Sequence, residues 1–180
     1  MSTTSKISSS FLFVLMFVAV LAPWIAPYSY QDQDTLHILA FPGSEHWLGT
    51  DRLGRDLLSR MIYGARVSLF VGVFSTVVAL IIGTIYGTLS AYLGGRIDNL
   101  MMRVVDVVFA LPDLLMIILI TVLMGRGIVG VFIALTLVSW VTIARLVRGE
   151  VLRIKEYPYI QAARALGASH FRIMLIEIFP

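Results

Sequence analysis

The 180-residue chain contains no cysteine, and Asp, Glu, Lys and Arg together supply only 14% of it. Without cysteine there is no disulfide framework, no thiolate nucleophile and no zinc site built on sulfur. A soluble domain carries about 25% charged and about 45–50% apolar residues. With 14% charged and 58% hydrophobic residues, an ordinary soluble core is excluded. The surplus of Lys and Arg, 14 against 11 acidic residues, is too small for a nucleic-acid footprint and suits positive residues gathered on one side of a membrane. There is no G-x-x-x-x-G-K-[ST] stretch, so a P-loop ATP site has no support. The three histidines, His37, His46 and His170, show no metal-ligand spacing along the chain. No nucleophile–base–orienter set can be assembled. The expectation is a membrane protein that is not an enzyme and binds no cofactor, metal or nucleic acid.

What is present is apolar length. Mean hydropathy is +0.89, and a helix needs about 20 apolar residues to cross a bilayer. Four runs qualify: roughly Ile7 to Ala26, Val67 to Tyr86 (extending towards Leu93), Val104 to Met124, and Ile128 to Ala144. The fold expected is all-α, a polytopic transmembrane bundle with four spans. A cleaved signal peptide is the rival for the first run. Its plausible cleavage sites, Ala22 and Ala26, are each followed by proline, so a retained helix is preferred. Two regions are expected: residues 1–66, with the first span and an extracytoplasmic loop, and residues 67–180, with the other spans and a cytoplasmic loop at 148–180.

Orientation follows from Lys and Arg placement. With the N-terminus in the cytoplasm, the inner segments hold Lys6, Arg96, Arg103, Arg145, Arg148, Arg153, Lys155, Arg164 and Arg172. The outer segments hold Arg52, Arg55, Arg60, Arg66 and Arg126. The majority inside predicts Asp51 and Gly127 outside and Ala163 inside.

Three features inside the spans stand out. Ser75, Ala79, Gly83, Gly87 and Ala91 recur every fourth residue and form a slanted small-residue stripe on one helix face. Such a stripe lets another helix approach closely, and Gly83 with Gly87 fits G-x-x-x-G. Arg103 and Asp106 stand three apart and could pair on one face. Asp113 follows Pro112. An unpaired Asp at mid-bilayer costs at least about 2.5–3.5 kcal/mol, so Asp113 should face the bundle interior or a wet cavity. It is a candidate translocation-path residue, or else a partner for the backbone freed by the Pro112 kink. Gly125-Arg126-Gly127-Ile128-Val129-Gly130 has the letters of a dinucleotide motif but no preceding strand, and reads as a turn between spans.

In the outer loop, Leu57, Leu58, Met61 and Ile62 fall at helical spacing with Arg60 off that face. This predicts an amphipathic helix lying at the interface, with Trp47 and Tyr63 suited to that depth. After Arg148 the chain turns polar. Tyr157-Pro158 should end one helix and start another. Tyr159 to Leu166 is rich in helix formers, Gly167 should cap it in a left-handed conformation, and Ser169 can begin a further helix. The short helix would project like a knob, or serve only as an amphipathic linker.

This segment resembles the EAA loop of ABC-importer permeases, with the pattern E-A-A, three residues, G, nine residues, I-x-L-P. Ala162, Ala163, Gly167 and Pro180 match in register. Gln161 stands in place of Glu, Glu177 in place of Ile and Phe179 in place of Leu. The outer segment Leu48-Gly49-Thr50-Asp51-x-x-Gly54-Arg55-Asp56, then Tyr63-Gly64-Ala65-Arg66-x-Ser68-Leu69, is similar to the second permease subunit of dipeptide, oligopeptide and nickel importers.

The resemblance implies a six-span permease in the bacterial inner membrane. Its implied partners are a second permease subunit, two ATPase subunits and an extracytoplasmic substrate-binding protein. ATP hydrolysis would lie on the ATPases, and the EAA helix would couple their closure to alternating access. It places the ATPase-coupling role on Gln161, Ala162, Ala163, Arg164, Leu166 and Gly167. The family pattern continues with further spans beyond Pro180, so the chain is expected to be a fragment or a truncated product. The second hypothesis is a non-transporting membrane protein that binds the ATPase.

Overall fold

The computed structural model describes residues 3–125, 127–168 and 172–173. Among them the chain is helical, with no strand and one isolated bridge between Thr50 and Asp56. The helices are α1 (Thr3–Val20), α2 (Ala22–Ile25), α3 (Leu57–Leu93), α4 (Gly95–Phe109), α5 (Asp113–Met124), α6 (Ile128–Lys155) and α7 (Pro158–Ala165). The chain divides into two compact units, residues 1–72 and 73–180. This division, like the one expected at 66/67, falls inside α3.

Two helices are long and apolar enough to cross a membrane, α3 with 37 residues and α6 with 28, or three spans if the α4–α5 pair counts as one. Among the described residues, the four spans read from the sequence are therefore not confirmed as four continuous helices. The first run breaks at Leu21, where Pro23 opens the four-residue α2. The apolar part of α1, Ser5–Val20, covers about 24 Å at 1.5 Å per residue, short of a core about 30 Å thick. The third run is not one helix either. α4 and α5 meet at an 82° bend, because Pro112 removes a backbone donor and steers Leu111 out of the helical region. The interfacial helix is also absent as a separate element: Leu57, Leu58, Met61 and Ile62 form the first turns of α3, which runs unbroken to Leu93.

In the first unit, residues 34–56 fold on themselves through turns. Gly49 and Gly54 have φ of +75° and +71°, and a β-carbon on them would lie 2.3 Å from the Ala40 carbonyl oxygen and 1.9 Å from that of Asp34. Only glycine fits such positions. The Thr50 hydroxyl donates to the His37 carbonyl and accepts from the Ala40 amide. Asp51 accepts the Leu53 and Arg55 amides at 2.8 and 3.0 Å, and the guanidiniums of Arg55 and Arg60. Asp56 caps α3, accepting the Ser59 amide at 2.7 Å. The Ser59 hydroxyl in turn accepts the Tyr28 amide at 3.1 Å.

Desolvation alone would raise the Asp51 carboxyl, but the hydrogen bonds from Arg55 and Leu53 outweigh it and hold it well below the usual carboxylate range. A depressed carboxylate contributes stability above its unfolded value, near pH 4, and loses it as pH falls through the folded one. We expect Trp47 fluorescence, in a background with Trp24→Phe and Trp140→Phe, to stay constant from about pH 5.5 to about pH 4 and to change below that. Asp51→Asn should show the acid spectrum at neutral pH. An Asp51→Asn titration that overlays the parent would refute this role.

In the second unit, the stripe Ser75, Ala79, Gly83, Gly87 and Ala91 is buried throughout, and Gly83, Gly87 and Ala91 face α6. A β-carbon on Gly83 would lie 2.7 Å from the Trp140 carbonyl oxygen, and one on Gly87 2.3 Å from that of Ala144. Such close backbone approach gives the van der Waals contact that holds helices together where lipid offers no hydrophobic drive. α4 joins through Val105, packed with Val141 and Ala144 and flanked by Tyr86 and Trp140. The Tyr86 hydroxyl donates to the Met101 carbonyl at 2.9 Å. α5 packs against α6 with no buried residue of its own. Leu114, Leu115, Ile118, Leu119, Val122 and Leu123 are all exposed, a surface that suits lipid or another membrane protein and not water.

Candidate functional site: a short projecting helix and its anchors

α7 begins where the sequence dictates. Pro158 occupies the first helical position, and the Tyr157 carbonyl accepts the Ile160 and Gln161 amides at 3.1 and 3.3 Å. It ends at Gly167, whose φ is +84°. The Ala168 amide donates to the Ala163 carbonyl at 3.0 Å, the long hydrogen bond of a glycine-terminated helix. The helix stands on one residue. Ile160 is fully buried and clusters with Ala91 of α3, Val151 of α6 and Ile173. Deep burial of one such side chain is worth about 1.5–3 kcal/mol.

Most of the other described side chains of α7 and its cap are open. Gln161 and Ala162 are exposed, Ala163 is half-buried and Gly167 is exposed. Leu166 is 88% exposed, and Tyr157 and Tyr159 are also open, their rings 5.9 Å apart. The Gln161 side-chain amide donates to the Glu156 carbonyl at 3.3 Å. Arg164 belongs to α7, but its side chain lies outside the described residues, as do the helix start expected at Ser169 and the motif positions Glu177, Phe179 and Pro180. A rigid short helix with two tyrosines, a leucine and small residues open on its surface can fill a groove on a partner, because aromatic and aliphatic anchors carry most interface energy.

The helices α3, α4 and α6 are tied together by polar groups that sequence spacing does not announce. Lys155, at the end of α6, donates to the Ala91 carbonyl at 2.8 Å and thereby caps α3. Asp98 on α4 is buried and accepts the Ser90 hydroxyl at 2.6 Å. It also accepts both arms of Arg148, at 2.6 and 2.7 Å. This bidentate pair ties α4 to α6. Asp98 and Arg148 stand fifty residues apart in the chain, so no helical period could have paired them.

The other polar positions depart from expectation. Asp106 does not pair with Arg103; it meets Arg145 of α6 at 2.9 Å, and that guanidinium sits 4.1 Å over the Phe109 ring. Asn99, Met102, Arg103, Asp106, Val107 and Ala110 line an open cleft along one face of α4. Asp113 is exposed in the first turn of α5. It faces neither a packed interior nor a closed cavity of this chain, because the bend at Pro112 ends α4 before it.

The histidines also read differently in three dimensions. The turns of residues 34–56 bring Asp34, His37 and His46 within 4.8 Å of one another, although their spacing along the chain resembles no ligand pattern. The dinucleotide-like Gly125–Gly130 segment joins α5 to α6, with Gly130 already inside α6.

Comparison with known proteins adds lineage. The family model for binding-protein-dependent transport system inner membrane components matches residues 79–180. The model for the N-terminal TM domain of oligopeptide transport permease C matches residues 3–42. The dipeptide transport system permease protein DppC of Bacillus subtilis (strain 168) is 45% identical over 179 residues, covering 98% of this chain and 56% of that protein. The oligopeptide transport system permease protein OppC of the same organism is 41% identical over 167 residues, 93% of this chain and 55% of the relative. The glutathione transport system permease protein GsiD of Pectobacterium atrosepticum is 42% identical over 174 residues, 94% and 57% respectively. The chain thus spans about half the length of these relatives.

Proposed function

The chain belongs to the family of binding-protein-dependent transport system inner membrane components, and from that membership we propose that it serves as permease in an ABC importer of peptides or similar small solutes. In this reading α7 is the coupling element. It sits in a groove of a cytoplasmic ATPase subunit, and ATP-driven closure of two such subunits moves α3 and α6 through it. A second permease subunit and an extracytoplasmic binding protein complete the machine. Hydrolysis belongs to the ATPases, since the sequence holds no P-loop. The N-terminus and α7 lie in the cytoplasm and Asp51 outside, as the Lys and Arg distribution favours. α1 and α2 provide the first crossing, consistent with the match to an N-terminal TM domain. The relatives named for dipeptides, oligopeptides and glutathione favour a peptide-like cargo. Uptake assays with labelled peptide and labelled nickel distinguish the two solutes that the motif allows.

The observation that carries this reading is the shape of α7, a glycine-capped helix pinned at Ile160 with its other side open. Gly167→Val puts a β-carbon where positive φ costs about 1–2 kcal/mol, without touching any other helix. Ala163→Asp places a charge on the outward side. Both variants should reach the membrane at the parental level. Both should lose ATPase capture in a detergent pull-down, and uptake in cells that supply the other subunits should fall at least about tenfold, which corresponds to 1.4 kcal/mol of docking energy. Normal capture and normal uptake in both would disprove the coupling role. A Cys at position 163, in this Cys-free chain, would report the topology: labelling from outside intact cells by an impermeant reagent contradicts it.

A further inference from the structure

We propose that Asp34, His37 and His46 form a binding site for a divalent transition-metal ion, zinc being the best fit, in the folded segment between α2 and α3. The coupling role proposed for α7 does not require it. The three donor atoms gather within 4.8 Å. An Asp34 carboxylate oxygen is 2.7 Å from His37 Nδ1 and 3.9 Å from His46 Nε2. Tetrahedral zinc with bonds near 2.1 Å places its ligands about 3.4 Å apart. Those two separations straddle that value and the third, between the two ring nitrogens, is at most 4.8 Å, so closing the imidazoles together by no more than about 1.4 Å admits the ion.

The surroundings point the donors inwards. His46 is buried, and its Nδ1 is 3.0 Å from Asp56 Oδ1. Asp56 is already fixed by the Ser59 amide. With Nδ1–H donated to Asp56, the lone pair of Nε2 faces the Asp34 carboxylate. Two acceptors face each other there, an arrangement that a cation between them relieves. On the other side, His37 Nε2 lies 3.8 Å from Glu45 Oε2, so coordination through Nδ1 leaves an N–H turned towards a carboxylate. Each imidazole therefore has a carboxylate for its non-ligating nitrogen, which is how metal-ligating histidines are oriented and made more basic. Two imidazoles disfavour the oxygen-preferring magnesium and calcium, whereas two nitrogens and one oxygen suit zinc, cobalt or nickel. Three protein ligands leave a fourth position for water. A bound ion would join residues 34, 37 and 46 into one staple, closing the loop that precedes α3.

The test uses the full chain, purified in detergent and stripped of metal. Titration with Co²⁺ should give one equivalent of binding with the intense visible absorption of a four-coordinate site, displaced by equimolar Zn²⁺. His37→Ala and Asp34→Ala, both on partly open side chains, should weaken binding at least about 100-fold. Asp56→Asn, acting through His46, should weaken it about 10–100-fold. His170→Ala should change nothing. His46→Ala should abolish binding too, with circular dichroism to confirm that helix content is kept. The proposal fails if no stoichiometric binding occurs, if His37→Ala binds like the parent, or if His170→Ala removes the signal.

Discussion

Gly87→Leu is expected to break the α3–α6 contact outright. A β-carbon alone would stand 2.3 Å from the Ala144 carbonyl oxygen and 3.1 Å from the Arg148 amide nitrogen. Both are backbone atoms of α6, so neither can swing aside as a side chain would. Overpacking a close interface usually costs about 1–3 kcal/mol, and with no yielding atom the cost here should reach about 3 kcal/mol or more. Gly83→Leu should behave alike, meeting the Trp140 carbonyl oxygen and Ile143. Leu80→Ala should do much less, because Leu80 is exposed on α3. The measurement is the midpoint of unfolding in an SDS titration of the purified chain, alongside the yield of complex in a pull-down. If Gly87→Leu unfolds at the parental midpoint, the close approach described for this stripe is wrong.

Cutting the Asp98–Arg148 pair should have an effect of similar size. Arg148→Met leaves the buried Asp98 carboxylate hydrogen-bonded to Ser90 but without its bidentate partner, and removes the tie between α4 and α6. Breaking one partner of a desolvated pair costs about 3–5 kcal/mol, much of it the stranded charge. The double variant Asp98→Leu with Arg148→Met removes that charge and should recover part of the loss. A double-mutant cycle by the same SDS titration isolates the coupling. Singles equal to the parent, or a double variant worse than both singles, would show that the pair does not hold these helices.

Sequence reading located local features well and non-local ones poorly. The helical class, the small-residue stripe, the start of α7 at Pro158 and the positive φ of Gly167 depend on neighbours within a few residues, where periodicity and turn chemistry speak directly. The continuity of the apolar runs was overestimated because apolar length alone cannot see a bend. Pro112 was legible as a kink, but the size of the turn, 82°, was not, and neither was the packing of α5 against α6 that follows it. The helical pattern at Leu57–Ile62 is present but runs on into the apolar stretch that follows, because Gly64, the weak helix former between them, costs only about 1 kcal/mol in a helix interior. Asp98 with Arg148, Lys155 with Ala91, and Asp34 with His37 and His46 were unreadable as groups. Each is assembled by turns or packing between segments far apart, and a residue's partner across fifty positions leaves no trace in spacing. Ile160, which anchors α7, carries no distinguishing signal among so many aliphatic residues.

The loop before α3 bears on how such chains should be classified. Its recognisable string, Leu48 to Asp56, is engaged in its own folding: two glycines packed against carbonyls, a threonine bridging turns, an aspartate held by two arginines, and a helix cap. Those side chains are occupied with each other. A motif satisfied internally records descent and not diet. Its match identifies a lineage without naming a solute. The open side of α4, lined by Asn99, Arg103 and Asp106, holds no such turn together.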